Sequence, residues 1–151
     1  MSKSRGPLSG LRVLDLGRHI SCPTCGMTLG DLGAEVIKIE KAGYGDDTRH
    51  SGEYAKGVNI YYPTENRNKK SITVNFRSDK GKNLLRELVK KADVLIENFR
   101  PGTMEKMGLG WEDVHKINPR LIMASISGYG KGSPYSQRPG FDSIMAATTG
   151  I

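Results

Sequence analysis

The chain contains no apolar run approaching the roughly 18 residues that a membrane-spanning helix needs, and Met1 to Pro7 lacks the apolar stretch of a secretory signal. Cysteine is scarce. With only Cys22 and Cys25 no disulfide framework can form, which argues against a stapled secreted domain and fits a reducing compartment. The three histidines, His19, His50 and His115, are too scattered to complete with those thiols the roughly four-ligand set of a structural zinc. Aromatic residues make up 7% and hydrophobic residues 36%, so the core should be modest. There is no internal repeat and no low-complexity tract.

What is present is glycine and positive charge. Nineteen glycines point to many tight turns, and 151 residues suffice for one domain that buries roughly 70% of its unfolded surface. The formal charge of +7 favours an anionic partner, because a basic surface concentrates phosphates and carboxylates around itself. Nucleic acid is the first such partner to weigh. The lysines and arginines are dispersed, however, with no continuous basic helix stripe and no interleaved aromatics, so no nucleic-acid partner is expected.

Leu11-Arg-Val-Leu-Asp-Leu16 is short, apolar and followed by Gly17, which suits a buried strand with Asp15 near its end. Pro23 can sit early in a helix carrying Met27, Leu29 and Leu32 and closed by Gly33. Val36-Ile-Lys-Ile39 gives a second strand, completing a βαβ unit. Ala42 to Gly57 reads as an irregular polar loop and Ser71-Ile-Thr-Val-Asn-Phe76 as a strand. From Asp79, Leu84, Leu85, Leu88, Val89 and Ala92 recur at helical spacing. Val94-Leu-Ile96 and Leu121 to Ile126 are further strands, separated by helical turns around Thr103 to Met107 and Trp111 to Lys116. The last stretch, from Asp142 to Ile151, begins as a helix with Asp142 at or near its cap. The alternation predicts an α/β domain with a mostly parallel, Rossmann-like sheet. Ligands of such sheets bind beyond the strand ends, here His19 to Pro23, Glu40 to Lys41, Asn98 to Gly102 and Ser127 to Pro134.

Several local motifs carry two readings each. Cys22-Pro-Thr-Cys25 opens a helix, where a helix amino terminus lowers a thiol pKa and supports dithiol redox chemistry; the other reading is a pair of small, partly buried residues. Asn66-Arg-Asn-Lys-Lys-Ser71 places Arg67, Lys69 and Lys70 within reach of one anion, or is a solvated basic turn. Ser127-Gly-Tyr-Gly-Lys-Gly-Ser133 wraps a ligand in backbone N–H groups, or is a plain glycine-rich turn. His19 is a conceivable acid or base but has no visible carboxylate partner, and Asp46 and Asp47 read as a solvated turn.

In order, Gly10-Leu-Arg-Val-Leu-Asp15, Leu29 to Glu40, Gly45-Asp-Asp-Thr-Arg49, Asn66 to Ser71 and Ala92 to Gly102 resemble the family III CoA-transferases. So do Met107-Gly-Leu-Gly110, Asn118-Pro-Arg-Leu-Ile122, Ser127-Gly-Tyr-Gly130 and Arg138-Pro-Gly-Phe-Asp142, and the pattern is most similar to the dicarboxylate-type enzymes that draw CoA from succinyl-CoA. The resemblance implies the amino-terminal part of the large domain over residues 10–151, a flexible stretch over residues 1–9, and an interlinked homodimer. It implies acyl-CoA and a small carboxylic acid as substrates, no covalently bound cofactor, no metal and no membrane. The compartment it suggests is the cytoplasm in a bacterium or the mitochondrial matrix in a eukaryote. The positions matching the family's CoA contacts are His19, Ile20, Lys41, Val74, Arg77, Asn98, Phe99, Arg100, Lys106, Arg138 and Phe141. Lys41, Arg77, Lys106 and Arg138 would pair with phosphates, and Phe99 would meet the adenine end.

The family's aspartate nucleophile, which forms an acyl-enzyme anhydride and releases CoA thiolate, would fall after Ile151, so the resemblance implies a fragment without a catalytic residue. The family's usual small-residue run after the first strand is here Ser21-Cys-Pro-Thr-Cys25. A racemase branch acting on 2-methylacyl-CoA carries a histidine where this chain has Phe141, and phenylalanine cannot exchange a proton. A CoA-transferase part is therefore expected, with a non-catalytic CoA-binding or interaction module, a racemase-like enzyme and a dithiol redox protein as alternatives.

Overall fold

The computed structural model describes residues 6–151. Its first unit is strand β1 (Arg12–Asp15), helix α1 (Ser21–Asp31) and strand β2 (Glu35–Lys41), with Gly33 at φ +100° turning the chain between helix and strand. A short hairpin, β3 (Tyr54–Ala55) with β4 (Val58–Asn59), leads to helix α2 (Tyr61–Asn66) and strand β5 (Lys69–Val74). Then come α3 (Asp79–Val89), β6 (Val94–Glu97), α4 (Thr103–Lys106), α5 (Trp111–Ile117), β7 (Ile122–Ser125) and α6 (Asp142–Thr149).

The five long strands form one sheet in the order β5-β2-β1-β6-β7, with every neighbouring pair parallel. Parallel strands are covered on both faces, and alternation along each strand feeds two cores. Leu14, Leu16, Ile39, Val74 and Leu95 face a cluster with Leu85, Val89, Leu109 and Val114. Val13, Val36 and Ile96 face a second cluster with Cys22, against which Leu29 packs. The α/β class and the parallel sheet expected from the alternating pattern are thus present.

The amphipathic helix begins as its residues dictate: the Ser78 hydroxyl accepts from the Gly81 amide at 3.1 Å, satisfying one free N–H of the first turn. Three features differ from expectation. β5 runs over Lys69–Val74 instead of 71–76, because Lys69 and Lys70 align with Val36 and Ile37 of β2. The 42–57 segment contains a 3₁₀ turn, Asp47–Arg49, and half of the hairpin. Helix α2 was not expected; six residues carry too little periodicity, and Pro63 falls in the first turn, where no backbone N–H is required. As expected, α6 begins at Asp142, next to its cap position Phe141; no side chain caps it. Of the leading stretch expected to be flexible, residues 1–5 lie outside the described residues, while the Leu8 amide donates to the Leu32 carbonyl at 3.0 Å.

Candidate functional site

The chain fills the sheet from β1 outward to β5 and then returns to place β6 on the other side of β1, so the strand order reverses between β1 and β6. That reversal splays the loops leaving the two strands and opens a crevice beyond their carboxyl ends. The loop after β1 is fixed at each residue. The Gly17 amide donates to Asp15 Oδ1 at 2.9 Å, and its carbonyl accepts from Lys38 Nζ at 2.6 Å. A Cβ at Gly17 would sit 2.2 Å from that of Cys22, so only glycine fits there. Arg18 is held at both its N–H and C=O by the Asn98 amide, each at 2.8 Å. His19 adopts φ +61°, a left-handed conformation that a non-glycine residue keeps only when its surroundings hold it there.

A cleft of about 280 Å³ lies beside this loop, lined by Arg18, Lys41 and Arg77 together with Phe76 and Phe99. Arg18, Lys41 and Arg77 thus face one small volume, which is also lined by Lys38 with its partner Asp46 and by Glu40, itself paired with Arg49. Phe99 meets Phe76 edge-on at 6.4 Å and carries the Arg18 guanidinium 5.7 Å above its ring. A second cleft of about 490 Å³ shares Phe99 as a wall and continues along Arg100, Trp111, Met123 and Lys131. A polyanion with a flat ring and a flexible chain is the kind of ligand such a surface accommodates: cations take the phosphates and aromatic faces take the ring.

Beneath the cleft runs a buried ionic network. Lys38 Nζ pairs with Asp46 Oδ2 at 2.7 Å, and Lys69 Nζ pairs with Asp15 Oδ2 at 2.8 Å while also donating to the Pro23 carbonyl and Asn66 Oδ1. Glu40 accepts from Ser71, Tyr62, both arms of Arg49 and the Asp46 amide. Burial would raise the Glu40 carboxyl, but the hydrogen bonds from Arg49, Ser71 and Tyr62 outweigh it and hold it at about 2. Burial, together with the Glu40 carboxylate it bonds to, pushes the Tyr62 hydroxyl up.

These contacts decide between the local readings left open by the sequence. Arg67, Lys69 and Lys70 do not converge on an anion: Lys69 is buried against Asp15, Lys70 pairs with Glu35, and Arg67 pairs with Asp31. Residues 69 and 70 point to opposite faces of a strand, which a turn reading could not anticipate. Asp46 and Asp47 are not a solvated turn, since Asp46 is buried on Lys38 and Asp47 Oδ2 lies 3.3 Å from Arg18 Nη1 and 3.4 Å from His19 Nε2. His19 therefore has the carboxylate partner that the sequence did not reveal. Cys22 and Cys25 are not poised thiolates: burial and the adjacent Asp15 carboxylate push both thiols up, overriding any effect of the α1 amino terminus.

The residues carried over from the resemblance divide into groups. Lys41, Arg77 and Phe99 line the smaller cleft, and Phe99 and Arg100 line the larger. Asn98 stands at the shoulder of the crevice, with its amide engaged by Arg18 and Ser21. His19 and the exposed Phe141 meet edge-on at 6.1 Å, and Ile20 is an exposed residue at the cap of α1. The Val74 side chain is buried in the core below the rim. Lys106, at the end of α4, and Arg138, stacked 4.5 Å over Tyr135, line neither cleft. Arg18, Lys38, Asp46, Asp47 and Phe76 were not singled out from sequence as parts of this site. For Lys38 a signal existed: an ionisable residue inside a buried parallel strand demands a partner. Among the described residues no group of three or more His, Cys, Asp or Glu side chains is placed to hold a metal, and no helix is long and apolar enough to cross a membrane.

Comparison with known proteins gives one consistent result. Residues 8–151 match the family described as CoA-transferase family III. Over 96% of this chain, the sequence is 49% identical to the succinyl-CoA:glutarate CoA-transferase of Homo sapiens, of which it covers 33%. It is equally 49% identical, over 96% of its length, to the succinyl-CoA–D-citramalate CoA-transferase of Chloroflexus aurantiacus, covering 36% of that protein. The crystal structure of a CAIB/BAIF family protein from Brucella suis superposes with a TM-score of 0.91 at 44% identity, over 98% of this chain and 40% of that one. The chain thus spans about a third of the length of the curated relatives it matches.

Proposed function

The chain belongs to CoA-transferase family III, and from that premise we propose that it forms the CoA-binding face of an enzyme moving CoA from an acyl-CoA to a carboxylic acid. The observation that carries this reading is the convergence of Arg18, Lys41 and Arg77 with Phe76 and Phe99 on one cleft at the strand ends. Phosphate oxygens accept charge-assisted hydrogen bonds from the cations, whose flexible stems reach across the rim. On this reading the Phe99 ring would offer an apolar edge to the adenine, and the loop after β1 would border the pantetheine arm.

Succinyl-CoA is the proposed donor and a small dicarboxylic acid the proposed acceptor, supported by the names of the relatives above. The aspartate that would attack the thioester carbonyl is supplied, on this reading, outside residues 1–151, as is the second protomer of an interlinked homodimer. The chain by itself then binds CoA and does not turn it over. Elevated thiol pKa values at Cys22 and Cys25 disfavour the dithiol redox alternative, and Phe141 disfavours the racemase.

Calorimetric titration of the chain with CoA tests the proposal, alongside an assay for CoA transfer from succinyl-CoA to glutarate. One bound CoA per chain without turnover is the expected result. No heat at millimolar CoA would remove the binding role, and turnover would remove the claim that the nucleophile lies elsewhere.

A further inference from the structure

Gly17 and Arg18 of the turn Gly17 to His19 form part of the cleft wall, yet none of the turn's conformation is set by regular secondary structure. Three side chains from β2, the 3₁₀ turn and the loop after β6 grip it. Lys38 rises from the middle of β2, is 1% exposed, and divides its ammonium between Asp46 Oδ2 and the Gly17 carbonyl. Asn98, just beyond β6, uses its amide as a two-pronged clamp: Oδ1 accepts from the Arg18 N–H, and Nδ2 donates to the Arg18 C=O and, at 3.1 Å, to Ser21 Oγ. Asp47 then fixes the outward side chains of Arg18 and His19.

This arrangement is costly, which is the argument that it serves the site. A buried lysine and aspartate give up hydration that an apolar pair would not need, and a histidine in the left-handed region is held against its preference. A turn that merely connected β1 to α1 would require neither. The ammonium of Lys38 is also not saturated by Asp46 alone; its second acceptor is the backbone of the cleft wall.

We propose that Lys38 and Asn98 are positioning residues that hold the Gly17 to His19 turn in the one shape that presents Arg18 to the cleft; the functional part of this rests on the CoA reading above. Asn98 then acts on the ligand through Arg18 and not by touching it, because both its N–H donors are engaged, by Arg18 and Ser21, and its Oδ1 already accepts from Arg18. Lys38 does the same from below. The ligand meets a wall ordered in advance, so less conformational freedom is lost on binding.

The test measures two quantities on the 151-residue chain: amide hydrogen exchange at Arg18 by NMR, and CoA affinity by calorimetry. For Asn98→Ala, Arg18 exchange should accelerate at least tenfold and CoA affinity should fall about tenfold, while exchange in β1, β2 and β6 stays unchanged. Lys38→Met combined with Asp46→Asn removes the bond to Gly17 without leaving a buried charge, and should produce the same pair of changes. Asn98→Gln, one methylene too long for the clamp, should not rescue. Weaker CoA binding with Arg18 exchange unchanged would overturn the proposal in favour of direct contact by Asn98. Faster exchange with affinity unchanged would overturn it by showing the turn to be irrelevant to binding. If the unaltered chain binds no CoA, the CoA reading fails, and Arg18 exchange in the two variants still decides whether the clamp exists.

Discussion

Lys69 Nζ lies 2.8 Å from Asp15 Oδ2, and both side chains are sealed from solvent, so β5 contributes its first lysine to the floor of the sheet and not to its surface. Asp15 in turn accepts from the Gly17 amide and lies against Cys22, which ties the strand floor to the cleft wall. Removing one partner strands a buried charge. Lys69→Met should therefore lower stability by roughly 3 to 5 kcal/mol. Urea unfolding checks it; a loss below about 1 kcal/mol would mean that Asp15 finds another partner.

Part of the acid sensitivity should come from Glu40. Its folded carboxyl titrates at about 2, below the roughly 4.3 of an unfolded chain, so the stabilisation it gives is complete above the unfolded value and is lost as pH falls toward 2. Glu40→Gln should cost roughly 2 kcal/mol at neutral pH and flatten the dependence of stability on pH between about 4.3 and about 2, the window set by those two values. Parallel curves for the variant and the unaltered chain in that range would show that Glu40 is not the group responsible.

The general architecture was legible because it rests on local rules. Apolar runs bounded by glycine, a helix with period 3.6 after Ser78 and a βαβ spacing each declare themselves within a dozen residues. What stayed hidden is long-range and polar. Nothing near Lys38 in the chain announces that Gly17 and Asp46 will flank it, and nothing near His19 announces Asp47. Lys41, Arg77 and Phe99 were reached through resemblance and fall on one cleft, whereas Lys106 and Arg138 line neither cleft. The turn reading of Arg67 to Lys70 failed because strand alternation separated its charges.

The cysteines should be chemically quiet. Cys22 is buried at the start of α1 beside Asp15, so its thiol should react with a thiol-specific reagent only as fast as the protein opens. Replacing both cysteines with serine should leave CoA affinity within about twofold, because neither lines the smaller cleft. Rapid modification of Cys22 at neutral pH, or disulfide reductase activity, would revive the redox alternative.

Charge removal at the rim should weaken CoA binding additively if the two groups take different phosphates. Arg77→Ala and Lys41→Ala should each lower affinity about tenfold and reduce its sensitivity to salt, since each removes one charge-assisted contact at a solvated edge. Lys70→Ala, which breaks only an exposed pair with Glu35, should have no effect on affinity and provides the control. Equal losses for Lys70 and Arg77 would indicate nonspecific attraction by net charge.

The most direct measurement is an amide chemical-shift map of the 151-residue chain titrated with CoA. Saturable shifts should be confined to the crevice: Arg18 to Ile20, Lys41, Phe76 and Arg77, and Asn98 to Arg100. Shifts centred instead on Arg67 to Lys70, spread evenly over the basic surface, or absent at saturating CoA would contradict the CoA reading.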